Sequence, residues 1–244
     1  MKKKLISSFL FGIITMPSFA QGQLFENWAV GLNAGLYGYG IQGATSLTPN
    51  FKARIGFDFL SYKHNDPIDF EVDAVKGGSY LDNTLSGEFF SSKLKFSNVK
   101  AMIDYYPMKT GIFCFTTGVY LGNNKISLDG KVFGYDQYSE MAFDDITILP
   151  NSDGSFGADL KIGNYVKPYF GLGLGRTIPK SRVGFKFELG IVYQGDFKLE
   201  SDNAVSNNNY STNDFFDNIG DIPISKEVLK LWPMMNFTLS YRIK

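Results

Sequence analysis

The chain has 244 residues, enough for one domain or slightly more, with 24 Lys+Arg balancing 24 Asp+Glu. That balance excludes a basic nucleic-acid binder and an acidic disordered chain, and one Cys with one His leaves neither a disulfide framework nor a usual structural zinc site. Twenty-six Gly with 23 Phe and 14 Tyr instead describe a glycine- and aromatic-rich β protein.

The first residues form an export signal. Lys2, Lys3 and Lys4 precede an apolar run from Leu5 to Met16, and Ser18-Phe19-Ala20 is a small-x-small cleavage site, so residues 1–20 are expected to be removed. The apolar run falls short of the roughly 20 residues that a spanning helix needs. Cleavage removes three lysines and no acid, and the remaining domain, 21–244, becomes acidic by three charges. No later segment is long and apolar enough for a transmembrane helix.

In chain order, Asn27–Leu47 holds two short strands, with Trp28, Val30, Leu32 and Ala34 on one face of the first, and Gly35, Gly38 and Gly40 at the hairpin. Phe51, Ala53, Ile55, Phe57 and Phe59 then alternate with Lys52, Arg54, Gly56 and Asp58. Val99–Tyr106 and Phe113–Gly122 repeat the pattern. In Val166–Arg176 the apolar face alternates with Gly171, Gly173 and Gly175, which implies bulky side chains approaching from the interior. Val183–Leu199 is the clearest case, apolar at every odd position except Gly195 and charged at Lys186, Glu188, Asp196 and Lys198. Met235–Ile243 closes the series.

Because successive strand residues face opposite sides, each segment has an apolar and a polar face. Charge on the inner face and aromatics on the outer suit a barrel standing in lipid, where every backbone donor and acceptor must be paired internally. The expected fold is all-β: a closed antiparallel transmembrane β-barrel with strands at 26–35, 38–48, 51–63, 92–106, 111–128, 161–176, 183–199 and 232–244. Eight strands are expected, ten being the alternative if Val132-Phe133 and Ile146–Leu149 form another hairpin. The turns near 48–50, 107–111 and 177–182 are short and periplasmic in this reading. The stretches 63–91, 130–161 and 200–231 are long extracellular loops, the last ending in a short helix at 225–231.

Parity points Lys52, Arg54, Asp58, Lys100, Asp104, Lys167, Lys186, Glu188 and Arg242 inward. An eight-stranded interior is just wide enough for side chains to fill, so these charges are expected to pair across it and seal it, with a narrow ion or small-solute channel as the alternative. Cys114 falls on the same face as an inert thiol. The lone His64 lies near Ser61 and Asp66, a proximity that could serve a lipid-modifying enzyme, although a solvated loop histidine explains it more simply; no catalytic residue, metal or cofactor is expected. In the last loop Asp202, Tyr210, Asp214, Phe215 and Phe216 are candidates for an extracellular ligand or surface partner.

Several segments resemble a known family: Asp104-Tyr105-Tyr106-Pro107, Gly118-Val119-Tyr120-Leu121 with Asn124-Lys125, Lys167–Gly173, Leu189–Gly195 and Leu239–Ile243. They look like the small OmpA-like or OmpX-like outer-membrane β-barrels of Gram-negative bacteria. The resemblance runs through about 29–244, and it departs at Ile243-Lys244, where such chains usually end in an aromatic residue. It implies insertion by the outer-membrane assembly machinery, contact with outer-membrane lipid and lipopolysaccharide, and no nucleic-acid partner. It transfers no activity to individual residues.

Overall fold

A computed structural model of the chain describes residues 25–76, 79–134, 140–143, 146–203 and 230–243. The signal segment and the 225–231 helix expectation, apart from residues 230 and 231, lie outside them. Among the described residues there is no helix, and 13 antiparallel strands form one sheet.

Eight of these strands close on themselves. In ring order they are β1 (Trp28–Gly35), β2 (Gly38–Ser46), β3 (Phe51–His64), β5 (Ser79–Tyr105), β6 (Phe113–Val132), β10 (Val166–Gly175), β11 (Val183–Tyr193) and β13 (Leu231–Arg242). The register Ala29↔Arg242 to Gly35↔Asn236 between β1 and β13 completes the circle. Both ends of the described chain and three tight turns share one end of the ring, called here the near end. The β2–β3 turn is shaped by Thr48, whose hydroxyl accepts from Asn50 N–H at 3.3 Å and Phe51 N–H at 3.0 Å.

The far end differs from the loops expected there. Residues 63–91 and 130–161 are largely strand: β4 (Ile68–Lys76), the first half of the 27-residue β5, β7 (Glu140–Phe143), β8 (Ile146–Ile148) and β9 (Ser155–Ile162). At about 3.4 Å per residue β5 would measure about 90 Å, several times what a crossing of 9–11 residues requires. The outer part of the sheet has its own apolar core of Val72, Leu85, Val132, Met141, Ile148 and Phe156, which explains why sequences so polar on one face stay paired there. Beyond β8 and β12 (Phe197–Glu200), Asn203 gathers the two margins of this extension. Its carbonyl accepts from Leu149 N–H at 2.9 Å and its amide donates to Asn151 Oδ1 at 3.1 Å.

The strands expected at 161–176 and 183–199 are each interrupted. Gly163 (φ 76°) and Gly195 (φ 84°) take left-handed conformations at the same height, and Asn164 N–H donates to Gln194 O at 2.7 Å. The breaks let β9 and β12 turn away from β10 and β11 while β9 stays paired with β6.

Alternation separates the faces as expected. Outward residues such as Leu32 (63% exposed), Ile55 (64%) and Phe185 (74%) form an apolar belt, while Asn98, Asp104, Thr116 and Lys167 on the inner face are fully buried.

Candidate functional site

The centre of the ring is filled by a four-charge cluster. Arg54 on β3 donates from one terminal nitrogen to Asp104 Oδ1 at 2.9 Å and to Glu188 Oε2 at 2.7 Å. Lys186 reaches the same two carboxylates at 2.9 and 2.7 Å. Strands β3 and β11 stand on opposite sides of the eight-stranded ring, so the Arg54–Glu188 bond spans the interior. Two cations and two anions balance. The remaining acceptor capacity is used by Thr116 Oγ1, 2.7 Å from Asp104, by the Tyr169 hydroxyl, 2.8 Å from Glu188, and by the Thr177 hydroxyl, which donates to Asp104 Oδ2. Removing charges from water is costly, and only this degree of pairing makes such burial tolerable.

The inward glycines provide the room. A Cβ on Gly173 would lie 2.7 Å from both Cys114 Sγ and Lys186 Cε, and one on Gly190 would meet the Tyr169 ring at 2.5 Å. Small residues on β10 and β11 are thus the floor over which Lys186 and Tyr169 extend toward the centre.

Two further groups lie on the same inner surface. Lys100 holds Asp58 at 2.9 Å, and Asn33 donates to the same carboxylate at 2.6 Å. Lys167 is buried without a carboxylate: it donates to Gly122 O at 2.6 Å and Asn98 Oδ1 at 3.2 Å, and Asn98 is fixed by Asn124 at 2.7 Å. The expectation of strict charge pairing therefore does not extend to Lys167, whose positive charge among the described residues is met by the Gly122 carbonyl and the Asn98 amide. Arg242 is also outside the network. It is half-buried at the near end, where it donates to Asn27 Oδ1 at 2.6 Å, because position 242 lies at the last rung of β13. Lys52 similarly turns to Ser46 Oγ and Thr48 O at the β2–β3 turn.

Layers above and below complete the filling. Toward the far end Tyr37 packs edge-on against Phe96 and Tyr120, with centroids 5.7 and 5.1 Å apart, and its hydroxyl donates to Gln194 Oε1 at 3.1 Å. At the near end the β10–β11 turn folds inward and sets Ile178 against Ala29 and Ala44. Sequence reasoning missed Tyr37 and Ile178 because both come from turns, where strand parity assigns no face. Thr116 was legible on the inward side of β6, although it carries no charge to single it out.

Other candidates are placed elsewhere. Cys114 is fully buried beside Gly173. His64 ends β3, its Nε2 3.6 Å from the exposed Asp66 carboxylate and its ring stacked near Tyr62. Asp202 is exposed just beyond β12, while Tyr210, Asp214, Phe215 and Phe216 lie outside the described residues. Among the described residues no group of three or more His, Cys, Asp or Glu side chains is arranged to hold a metal ion.

No protein-family model and no curated protein matches the sequence. Solved structures do. The crystal structure of CarO2 from Acinetobacter baumannii aligns with 90% of this chain and 100% of its own, at 16% identity and a TM-score of 0.50. CarO from the same organism aligns over 87% and 96%, at 16% identity and a TM-score of 0.48. The CarO2 likeness is one of fold, and it spans nearly the whole chain: an all-β, antiparallel architecture shared by sequences with little residue-level similarity.

Proposed function

We propose that this chain is an integral outer-membrane β-barrel, exported with a cleaved signal peptide and inserted by the outer-membrane assembly machinery. Its near-end turns are periplasmic and its far-end β structure extends outside the cell. Its role is structural or adhesive, exerted through that outer structure, and it is not an enzyme. The apolar belt supports the membrane reading, since so many large apolar side chains around a closed, internally hydrogen-bonded sheet fit hydrocarbon better than water.

The observation that carries the sealed-interior reading is the Arg54–Glu188 bond between opposed strands, flanked by the Tyr37 and Ile178 layers. An eight-stranded interior is just wide enough for side chains to fill, and this layering supports a barrel closed to bulk water. The test is conductance of the purified protein in planar bilayers. A silent bilayer containing correctly folded protein is the expected result, and steady single-channel steps would replace the sealed barrel with a narrow channel for ions or small solutes.

A further inference from the structure

The outward face of the sheet carries an arrangement that the folded protein alone does not explain. Lys95 on β5 lies directly opposite Lys125 on β6, Lys125 opposite Lys161 on β9, and Lys161 opposite Lys198 on β12. Just beyond this row, Lys63 faces Lys93 across β3 and β5. Parity turns all six outward, since the alternate residues Leu60, Leu94, Ile126, Ile162 and Phe197 belong to the inner apolar cluster.

Directly opposed like charges in a sheet are destabilising, so four in one unbroken row carry a repulsion that an anionic partner would relieve. Internal neutralisation is partial. Lys125 pairs with Asp159 at 2.7 Å and Lys161 with Glu200 at 2.6 Å, both pairs partly exposed. Lys63, Lys93, Lys95 and Lys198 have no acidic partner among the described residues.

The position of the row indicates the partner. A groove of about 610 Å³ joins Lys95, Lys125 and Lys161 to Phe57, Val99 and Leu121 at the far-end margin of the apolar belt. Tyr165, exposed in the same groove, stands where aromatic girdles of membrane barrels meet the headgroups. With strands about 4.8 Å apart, four lysines cover roughly 15 Å, the width of one or two lipid headgroups. A partner with anionic groups above and hydrocarbon below fits both halves of the groove.

We propose that the Lys95–Lys125–Lys161–Lys198 row binds the phosphate groups of phosphorylated lipid in the leaflet at the far end, with an acyl chain lying along Phe57, Val99 and Leu121. This rests on the outer-membrane reading, which makes lipopolysaccharide the lipid in question. The lipid phosphates supply the counter-charge that the sheet lacks.

The experiment titrates the full-length protein in uncharged detergent with bisphosphorylated lipid A or its dephosphorylated form, and counts retained lipid by native mass spectrometry. A variant carrying Lys95→Gln, Lys125→Gln, Lys161→Gln and Lys198→Gln should hold the phosphorylated lipid at least about ten-fold more weakly, from the usual attraction of near-surface lysines to anionic lipid. The corresponding Lys→Arg set should retain it, and inorganic phosphate at equal concentration should not displace it. Equal retention by wild type and the folded Gln variant, equal retention of the dephosphorylated lipid, or displacement by inorganic phosphate would each overturn the proposal. Failure of the membrane reading is a different result: the wild-type protein would stay in solution without detergent.

Discussion

Arg54 and Glu188 are 134 residues apart in sequence and meet at 2.7 Å from opposite sides of the ring. Each also contacts a second opposite charge, Asp104 for Arg54 and Lys186 for Glu188, so the bond is one edge of a closed four-charge square.

Arg54→Met removes one corner of that square and leaves Lys186 as the one cation ion-paired to Asp104 and Glu188 among the described residues. Breaking a buried pair on one side costs about 3–5 kcal/mol, because it leaves a charge uncompensated. A urea unfolding series in detergent or vesicles should show a loss of that size. Adding Glu188→Gln restores neutrality and should recover more than half of it. A single variant as stable as wild type would mean that the square does not hold the strands together.

Two glycines on opposite faces make a paired test of close approach. Gly173→Ala places a methyl 2.7 Å from Cys114 Sγ and Lys186 Cε and should cost about 1–3 kcal/mol through overpacking. Gly43→Ala points into open space on the outer face and should be neutral or stabilise by about 0.5–1 kcal/mol, since alanine loses less backbone freedom on folding. Differential unfolding of the two variants checks both. The order is reversed if the inner face is loosely packed.

Leu32, on the outward face of β1 beside Ile41 and Leu239, reports the surrounding solvent. Leu32→Arg should cost about 2–4 kcal/mol in a bilayer, where a charge on the lipid face is penalised near the midplane. The same change on a water-exposed wall would stay within about 0.5 kcal/mol. Folding yields into phosphatidylcholine vesicles distinguish the two, and an unimpaired variant would count against the belt being in hydrocarbon.

The β8–β9 turn should weaken in acid. Asp153 Oδ1 accepts from the Ser155 hydroxyl at 2.6 Å and from Ser155 N–H at 3.0 Å, and these bonds hold its carboxyl below the ordinary carboxylate value. Because the folded value is the lower one, the turn's added stability is present above the unfolded value near 4 and is lost as pH falls through the folded value. Amide exchange at Ser155 should therefore be protected at neutral pH and lose that pH-linked protection in acid. Asp153→Asn should remove the dependence, and identical profiles for the two proteins would refute it.

Which face of each strand is apolar was legible in the order of residues alone. In Phe51–Phe59, Val99–Tyr105 and Val183–Tyr193 the two-residue period leaves one choice of side, and that choice already placed Arg54, Asp104, Lys186 and Glu188 together on the inner surface. Parity gives a side but no position around a ring. Only closure, through the β1–β13 pairing, put β3 opposite β11 and so chose Glu188 for Arg54, while the register of neighbouring strands brought Lys100 to Asp58 and the Gly122 carbonyl to Lys167. Tertiary structure also turned the polar stretches 63–91 and 130–161 into strands, because their apolar residues find each other only across the outer sheet, in the cluster around Val72, Met141 and Phe156. Tyr37 and Ile178 were hidden for a related reason. A turn residue has no alternating pattern to reveal its direction, and only the enclosed space decides whether it points in.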